Sequence, residues 1–266
     1  MTRHISFAHA GGVGDIVYAI PVILSVLANN RATKADIFLQ LDVETGYVGW
    51  HPLGNKLLDA DFAARLKPLL ESQPYIGGVA IHDGRKVDCD LNGFRKLPNL
   101  TTYCLPRWYF LFIQGTRWDL SQPWLAVPPD TRYADRILVS RNARLRSPYI
   151  DHRFMNEYAS EVVFVGVERE FEEFRSECPA CTSFYEATDF LELARVVAGA
   201  RFFCGNQGFV YTLAEAMKTP RLLETNIQAA NNIPTGPNCC EALFQQGFEH
   251  WFRSMRKAYP PRGVSR

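Results

Sequence analysis

The chain has 266 residues, 47% of them hydrophobic and 21% charged, with a formal net charge of +1. That balance excludes a disordered or collagen-like chain. It also carries no overall basic footprint of the kind that a dedicated nucleic-acid binder shows, so a nucleic-acid partner is not expected.

The length suits one large domain or two small ones. The longest apolar stretch, residues 16–28, is broken by Pro21 and Ser25 and falls short of the roughly 18 to 20 residues that a membrane span needs. It is preceded by Asp15 and a glycine loop and lacks a small-residue cleavage pattern, so it does not read as a signal peptide and the cytoplasm is the expected compartment. Seven cysteines, Cys89, Cys104, Cys178, Cys181, Cys204, Cys239 and Cys240, form an odd and scattered set. They read as reduced thiols, not as a disulfide framework.

A first strand is predicted at residues 4–8. It runs through Gly11-Gly12-Val13-Gly14-Asp15 into a helical apolar pattern over 16–27, which Pro21 is expected to kink. A strand at 36–41, an amphipathic helix at 57–70 and a strand at 77–81 follow. Residues 83–122 are irregular apart from an apolar run at 108–113 expected to be buried, and Pro123, Pro128 and Pro129 mark a domain boundary. Beyond it come a strand at 136–140, helical material near 153–159, a strand at 162–167 and helices at 168–176 and 190–198. A strand at 200–204, a helix at 209–217 stopped by Pro220, a strand at 221–224 and a terminal helix at 241–257 complete the chain. Such alternation implies parallel sheets covered on both faces, in two α/β halves at 1–128 and 129–240 followed by a terminal segment, 241–266.

In parallel sheets the loops after the strands line the ligand crevice. Gly11, Gly12 and Gly14 let the backbone approach a ligand, but a dinucleotide fingerprint would need glycine where Val17 stands. Asp15 at the helix start would repel a bound phosphate and suits a proton acceptor better; the same position also suits an ordinary helix cap. His9 in this loop either contacts an acceptor or caps the turn. The stretch Cys204-Gly205-Asn206-Gln207-Gly208-Phe209 joins a strand to a helix whose free amides can cradle a diphosphate, although a tight turn with a packed helix gives the same pattern. Arg141, Arg144 and Arg146 follow a strand and can offset phosphate charge. Glu168 ends a strand where a carboxylate can accept from ribose hydroxyls, or is simply a first-turn helix acid. Cys178-Pro179-Ala180-Cys181 has the spacing of half a zinc site, but adjacent Cys239 and Cys240 are awkward partners, and no metal is expected.

The run Gly14-Asp15-Ile16-Val17-Tyr18-Ala19-Ile20-Pro21 resembles the opening signature of glycosyltransferase family 9, the ADP-heptose:lipopolysaccharide heptosyltransferase group. Asp189-Phe190-Leu191-Glu192-Leu193-Ala194, Gly205-Asn206-Gln207-Gly208 and Ala214-Glu215-Ala216-Met217-Lys218-Thr219-Pro220 are similar to that family's donor-site segment. Phe164-Val165-Gly166-Val167-Glu168 is similar to its ribose-binding strand. The resemblance implies a GT-B fold: two Rossmann-like domains facing across a cleft, acceptor on the first and nucleotide sugar on the second, with the last helix crossing back to the first. It implies inverting, metal-independent transfer from a nucleotide-sugar donor, ADP-linked by analogy, to a glycan or other hydroxyl acceptor, with no cofactor. Asp15 takes the place of the base, and His9, Gly11, Gly12 and Gly14 form the acceptor-side loop. Glu168 is assigned to the ribose, Arg144 or Arg146 to phosphate, and Gly205, Asn206, Gln207, Gly208 and Tyr211 to the donor. The family has Asp at the place of Asn206 and His at that of Tyr211, and is usually longer, the difference falling in the first domain; a changed acceptor follows, and a non-catalytic nucleotide-binding module is the alternative. A sugar-nucleotide epimerase of the same fold would need acids and histidines that the donor half does not display. Asp88-Cys89-Asp90 has a metal-binding spacing but lies in the loosely matched middle. Trp251, Phe252, Arg253, Arg256, Lys257, Arg262 and Arg266 offer a weak peripheral contact with the inner face of a membrane, or a packed helix with a solvated basic end.

Overall fold

The computed structural model describes residues 3–46, 50–98 and 102–261. Strand β1 (His4–His9) leads into helix α1 (Val13–Asn29). The helix starts three residues before its apolar pattern because Gly12 is its N-cap and donates its N–H to the Asp15 carboxylate at the third helical position. Pro21 lies inside this unbroken helix. Strand β2 (Lys34–Leu39), helix α2 (Ala60–Glu71) and strand β3 (Ile76–Ile81) follow. The stretch expected to be irregular contains a two-residue strand, β4 (Cys89–Asp90), a 3-10 turn over Leu91–Lys96 and helix α3 (Leu105–Phe112). The apolar run there is amphipathic, with Tyr109 fully buried and Leu111 60% exposed.

The second half consists of β5 (Ile137–Ser140), β6 (Val162–Val165), α4 (Glu168–Glu177), β7 (Phe184–Tyr185), α5 (Phe190–Gly199), β8 (Phe202–Asn206), α6 (Phe209–Met217) and β9 (Arg221–Glu224). Helical material near 153 is a 3-10 turn, Arg153–Tyr158. The helix expected from residue 241 is preceded by a strand, β10 (Cys239–Ala242), which pairs with β9 and holds Glu241 extended; helix α7 (Gln245–Ala258) begins only afterwards.

Both sheets are parallel, ordered β3-β2-β1-β4 and β10-β9-β8-β5-β6-β7. The strand order reverses beside β1 in the first sheet and between β5 and β8 in the second. These switch points open crevices at the carboxyl ends of the strands, where the loops after β1, β5 and β8 emerge.

Helix α1 packs on α6 and α2 on α5, so the two domains share one apolar core. Phe7, Ile16 and Ile20 join Leu138, Val163, Phe203 and Leu213 within it. Alternate residues of the second sheet, Val139, Phe164, Phe202 and Leu222, point the other way into a separate core with Phe174 of α4 and Phe248, Phe252 and Met255 of α7. That seam seats α7 on the second domain, where a return to the first was expected. Arg253 pairs with Glu249 and Arg256 with Glu161, so the basic end is partly neutralised; Arg262 and Arg266 lie outside the described residues. Among the described residues no helix is long and apolar enough to cross a membrane.

Candidate functional site

Two adjoining cavities occupy the seam between the domains. The larger, about 180 Å³, is walled by Val13, Trp50, His51, Phe62 and Arg65 from the first domain and by Asn142, Arg144, Val165, Glu170, Phe190, Gly208 and Phe209 from the second. The smaller, about 140 Å³, holds Gly12, Gly14, Asp15 and Tyr18 of the first domain against Arg144, Gly208, Thr212, Asn231 and Asn232 of the second. They share Val13, His51, Phe62, Arg144, Gly208 and Phe209. Asp15, Arg144 and Gly208, far apart in the sequence, therefore face one space.

The Asp15 carboxylate is held through Oδ2, which accepts from Gly12 N–H at 3.0 Å and from the Arg95 guanidinium. Arg95 comes from the turn after β4 and carried no signal in the sequence, because that turn has no periodicity to mark which side chains face inward. His9 is buried and lines neither cavity. Its Nδ1 accepts from Gly11 N–H at 2.8 Å, so the proton of the neutral ring sits on Nε2 and is donated to Tyr109 Oη at 2.8 Å; Tyr109 Oη in turn donates to the Asp15 carbonyl at 3.1 Å. Burial, and then the Arg95 charge, hold the His9 pKa down at about 3, which keeps the ring neutral. His9 thus shapes the loop after β1. Gly11 is required there, since a β-carbon would fall 2.3 Å from the His9 ring. Gly14 lets α1 approach α6, its β-carbon position lying 3.3 Å from Thr212 Oγ1.

On the second domain, Gly208 is the N-cap of α6, and among the described residues no side-chain cap is bonded to the helix's first amides, the groups that a helix start offers to an anion. Its backbone is extended, so what demands glycine is space: a β-carbon would come within 2.7 Å of Asn142 Nδ2. The neighbours expected to surround a diphosphate are committed elsewhere. Gly205 lies inside β8, where a β-carbon would overlap the Ser140 carbonyl of β5. Asn206 accepts from Asn142 N–H and donates to Asn142 O, stitching the loop after β5 to the end of β8. Gln207 is fully buried and ties down the β9–β10 connection through Asn226, Ala229 and Asn231. Tyr211 points into the core and donates to Glu215, which also holds Arg221 and Lys218.

The arginines after β5 separate in the same way. Arg141 is buried, chelating Glu224 and pairing with Glu177; Glu224 also accepts from Ser147 N–H and bonds His152. This buried cluster folds the loop of residues 141–152 and presents Arg144 to both cavities. Arg146 pairs instead with Glu173 of α4.

Glu168 opens α4 on its exposed side, away from both cavities. Glu170 lines the larger one, 8% exposed, and burial pushes its carboxyl up to about 7 against the Ala143 N–H and the Arg146 charge, which favour ionisation. A signal for it was present: Glu170 stands in helical phase with the buried Phe174. Burial and Arg144 hold His51 neutral, with a pKa of about 4. Asp88 is occupied by Ser6, and Asp90 caps the following turn, so that pair is structural. Cys178 and Cys181 are buried free thiols bonded to the His152 and Met155 carbonyls, and among the described residues no three acids, cysteines or histidines gather as a metal site.

No protein-family model matches the sequence, and no curated protein does so significantly. Solved structures do match in shape. A Veillonella parvula glycosyl transferase family 9 structure superposes with a TM-score of 0.61 at 12% identity, over 96% of this chain and 89% of the other. The Escherichia coli ADP-heptose lps heptosyltransferase II gives 0.64 at 12% identity, over 97% and 98%. Escherichia coli heptosyltransferase WaaC with ADP-2-deoxy-2-fluoro heptose gives 0.60 at 10% identity, over 96% and 100%. At such identities the likeness is one of fold: two parallel-sheet α/β domains in the GT-B arrangement.

Proposed function

We propose that this chain is an inverting, metal-independent glycosyltransferase that moves a hexosyl or heptosyl group from a nucleoside-diphosphate donor, ADP-linked by analogy, to a hydroxyl acceptor. The observation that carries the reading is the shared space between Asp15 and the uncapped start of α6, with Arg144 beside both. In this reading the nucleoside occupies the larger cavity, with Glu170 in place of Glu168 at the ribose. The diphosphate lies between the Gly208 end of α6 and Arg144, where amides and guanidinium stabilise the departing charge. Asp15 accepts the acceptor proton as the bond to the sugar forms, a general-base contribution of roughly 10² to 10⁴ in rate. Such a reaction would run in the cytoplasm, including the inner face of a membrane.

One feature favours a second reading, a nucleotide-binding module without catalysis: Arg95 already occupies an oxygen of Asp15. Calorimetric titration with ADP, UDP, GDP and CDP, followed by a transfer assay with the matching nucleotide sugars, separates the two. The transferase reading expects tight diphosphate binding, turnover in the parent and none in Asp15→Asn, whose diphosphate affinity is retained. It also expects Gly208→Val to weaken the diphosphate more than tenfold. Binding without turnover across donors and acceptors selects the module, and undiminished binding by folded Gly208→Val overturns the α6 site.

A further inference from the structure

A groove of about 870 Å³ opens beside the two seam cavities and shares no residue with either. That volume falls in the range of roughly 300 to 1,000 Å³ usual for small-molecule sites. One wall is α3 and the chain around it, with Tyr103, Arg107, Leu111, Arg117 and Trp118; the other is the connection between β9 and β10 at Pro234, Thr235 and Gly236. The walls come from different domains and are fixed to each other. Leu105 N–H donates to the Asn231 carbonyl at 2.9 Å, and Gly236 lies so near the other wall that a β-carbon there would fall 2.7 Å from the Ser121 carbonyl. The groove is therefore part of the domain packing itself.

Its charge is unbalanced. Arg107 and Arg117 are both exposed. Arg107 donates to Tyr103 Oη at 2.7 Å, and Arg117 is anchored through its backbone N–H, which donates to Ser25 Oγ at 2.9 Å. Among the described residues no carboxylate forms an ion pair with either guanidinium. Asp119, the one acid on the groove, is engaged by Ser121 N–H at 2.9 Å and by Gln122 Nε2 at 3.5 Å. Two cations thus face one committed acid.

The same groove exposes apolar surface. Leu111 is 60% and Tyr103 47% exposed. Tyr103 is held at a φ of +68°, a left-handed conformation that is uncommon for a bulky residue, with its ring edge-on to Trp108 and the Arg107 guanidinium 5.5 Å from its centre. An inorganic anion would satisfy the guanidinium groups and leave these rings in water, whereas a neutral apolar molecule would cover the rings and leave the charges unpaired. A ligand that carries both parts fits.

We infer that this groove is a second ligand site, for an organic anion whose phosphate or carboxylate is held by Arg107 and Arg117 and whose apolar body lies against Tyr103, Leu111 and Trp118. The inference does not rest on the transferase reading. The anion comes either from solution or from the headgroup of an anionic lipid.

The test is calorimetry on the full chain with 2-naphthyl phosphate, set against 2-naphthol and inorganic phosphate, and repeated on Arg107→Gln, Arg117→Gln and Arg144→Ala. The parent is expected to bind the naphthyl phosphate at least tenfold more tightly than either fragment. Each groove variant is expected to lose about fivefold or more, the value of a charge-assisted bond, with a smaller loss at high salt. Arg144→Ala, which alters the seam cavities, should stay within twofold. Both groove substitutions are at exposed positions, so the variants are expected to keep the parent's thermal midpoint. Co-sedimentation with phosphatidylglycerol vesicles, against phosphatidylcholine vesicles, separates the sources. Retention on the anionic vesicles alone, lost in both groove variants, identifies a lipid headgroup; naphthyl phosphate binding without retention identifies a soluble anion. A parent that binds neither the naphthyl phosphate nor the anionic vesicles overturns the site. So does binding that both groove variants leave unchanged, or that Arg144→Ala alone weakens.

Discussion

Asp15 and Arg95, eighty residues apart in the chain, form an ion pair at the mouth of the seam, and the guanidinium meets the same Oδ2 that caps the start of α1. Both bonds fall on one oxygen, which leaves Oδ1 as the oxygen to take a proton. On the proposed transferase reading, Arg95 would act on chemistry through the orientation of Asp15. Arg95→Ala should lower kcat about tenfold or more, since small misplacements of a reacting group are expensive, with diphosphate affinity within twofold. Arg95→Lys, which keeps the charge but loses the planar fork, should fall between. Separate measurement of kcat and KM checks this; a rise in kcat would instead show that Arg95 restrains the base.

Arg144 and Arg146 are two residues apart, yet only Arg144 lines the cavities, while Arg146 is spent on Glu173. Arg144→Ala should weaken nucleoside diphosphate more than nucleoside, by about tenfold, and the difference should shrink as ionic strength rises. Arg146→Ala should leave diphosphate affinity within about twofold. Titrations at low and high salt decide the matter, and equal losses in the two variants would count against the assignment.

Glu170 titrates near neutrality, with burial moving its carboxyl from 4.5 to about 7. If its ionised form accepts hydrogen bonds from the ribose, nucleotide affinity should rise as pH increases from roughly 6 to 8, because deprotonation through that pKa supplies the acceptor. Glu170→Gln should bind more weakly and lose this dependence, retaining only the titration of the nucleotide's own phosphate. Glu168→Gln, on the exposed side of α4, should behave as the parent.

His9 makes folding sensitive to acid. Its pKa lies at about 3 in the folded protein against 6.5 for a free histidine, so between these values the unfolded chain binds a proton that the folded chain does not. The resulting penalty is absent above pH 6.5 and grows as the pH falls toward 3, by about 1.4 kcal/mol per pH unit for one proton. Glu170 acts in the opposite sense between 4.5 and about 7, since its folded form holds the proton more tightly. The comparison is therefore parent against His9→Gln in urea unfolding from pH 7.5 to 4.5. The variant should be less stable at pH 7.5, where it loses bonds to Gly11 or Tyr109, and should show a shallower decline in acid.

The sequence by itself determined most of the succession of strands and helices, the two-domain α/β architecture and the two glycine-marked turns that open α1 and α6. Each is a local property: apolar periodicity, turn chemistry and capping act over a few neighbouring residues. Strands β4 and β7 are two residues long, too short to display a period, and Glu241 is extended only because β9 offers β10 a partner. The tertiary structure alone decided which side chains face the seam. Rotation of α4 about its axis turns Glu170 inward and leaves Glu168 outside, while the mutual packing of α1 with α6 buries Tyr211 in the core. The polar stitching by Asn206, Gln207 and His9, and the Arg95 contact to Asp15, join residues distant in the chain. Which donor meets which acceptor there is fixed by how two sheets dock, and no window along one strand or helix contains that information.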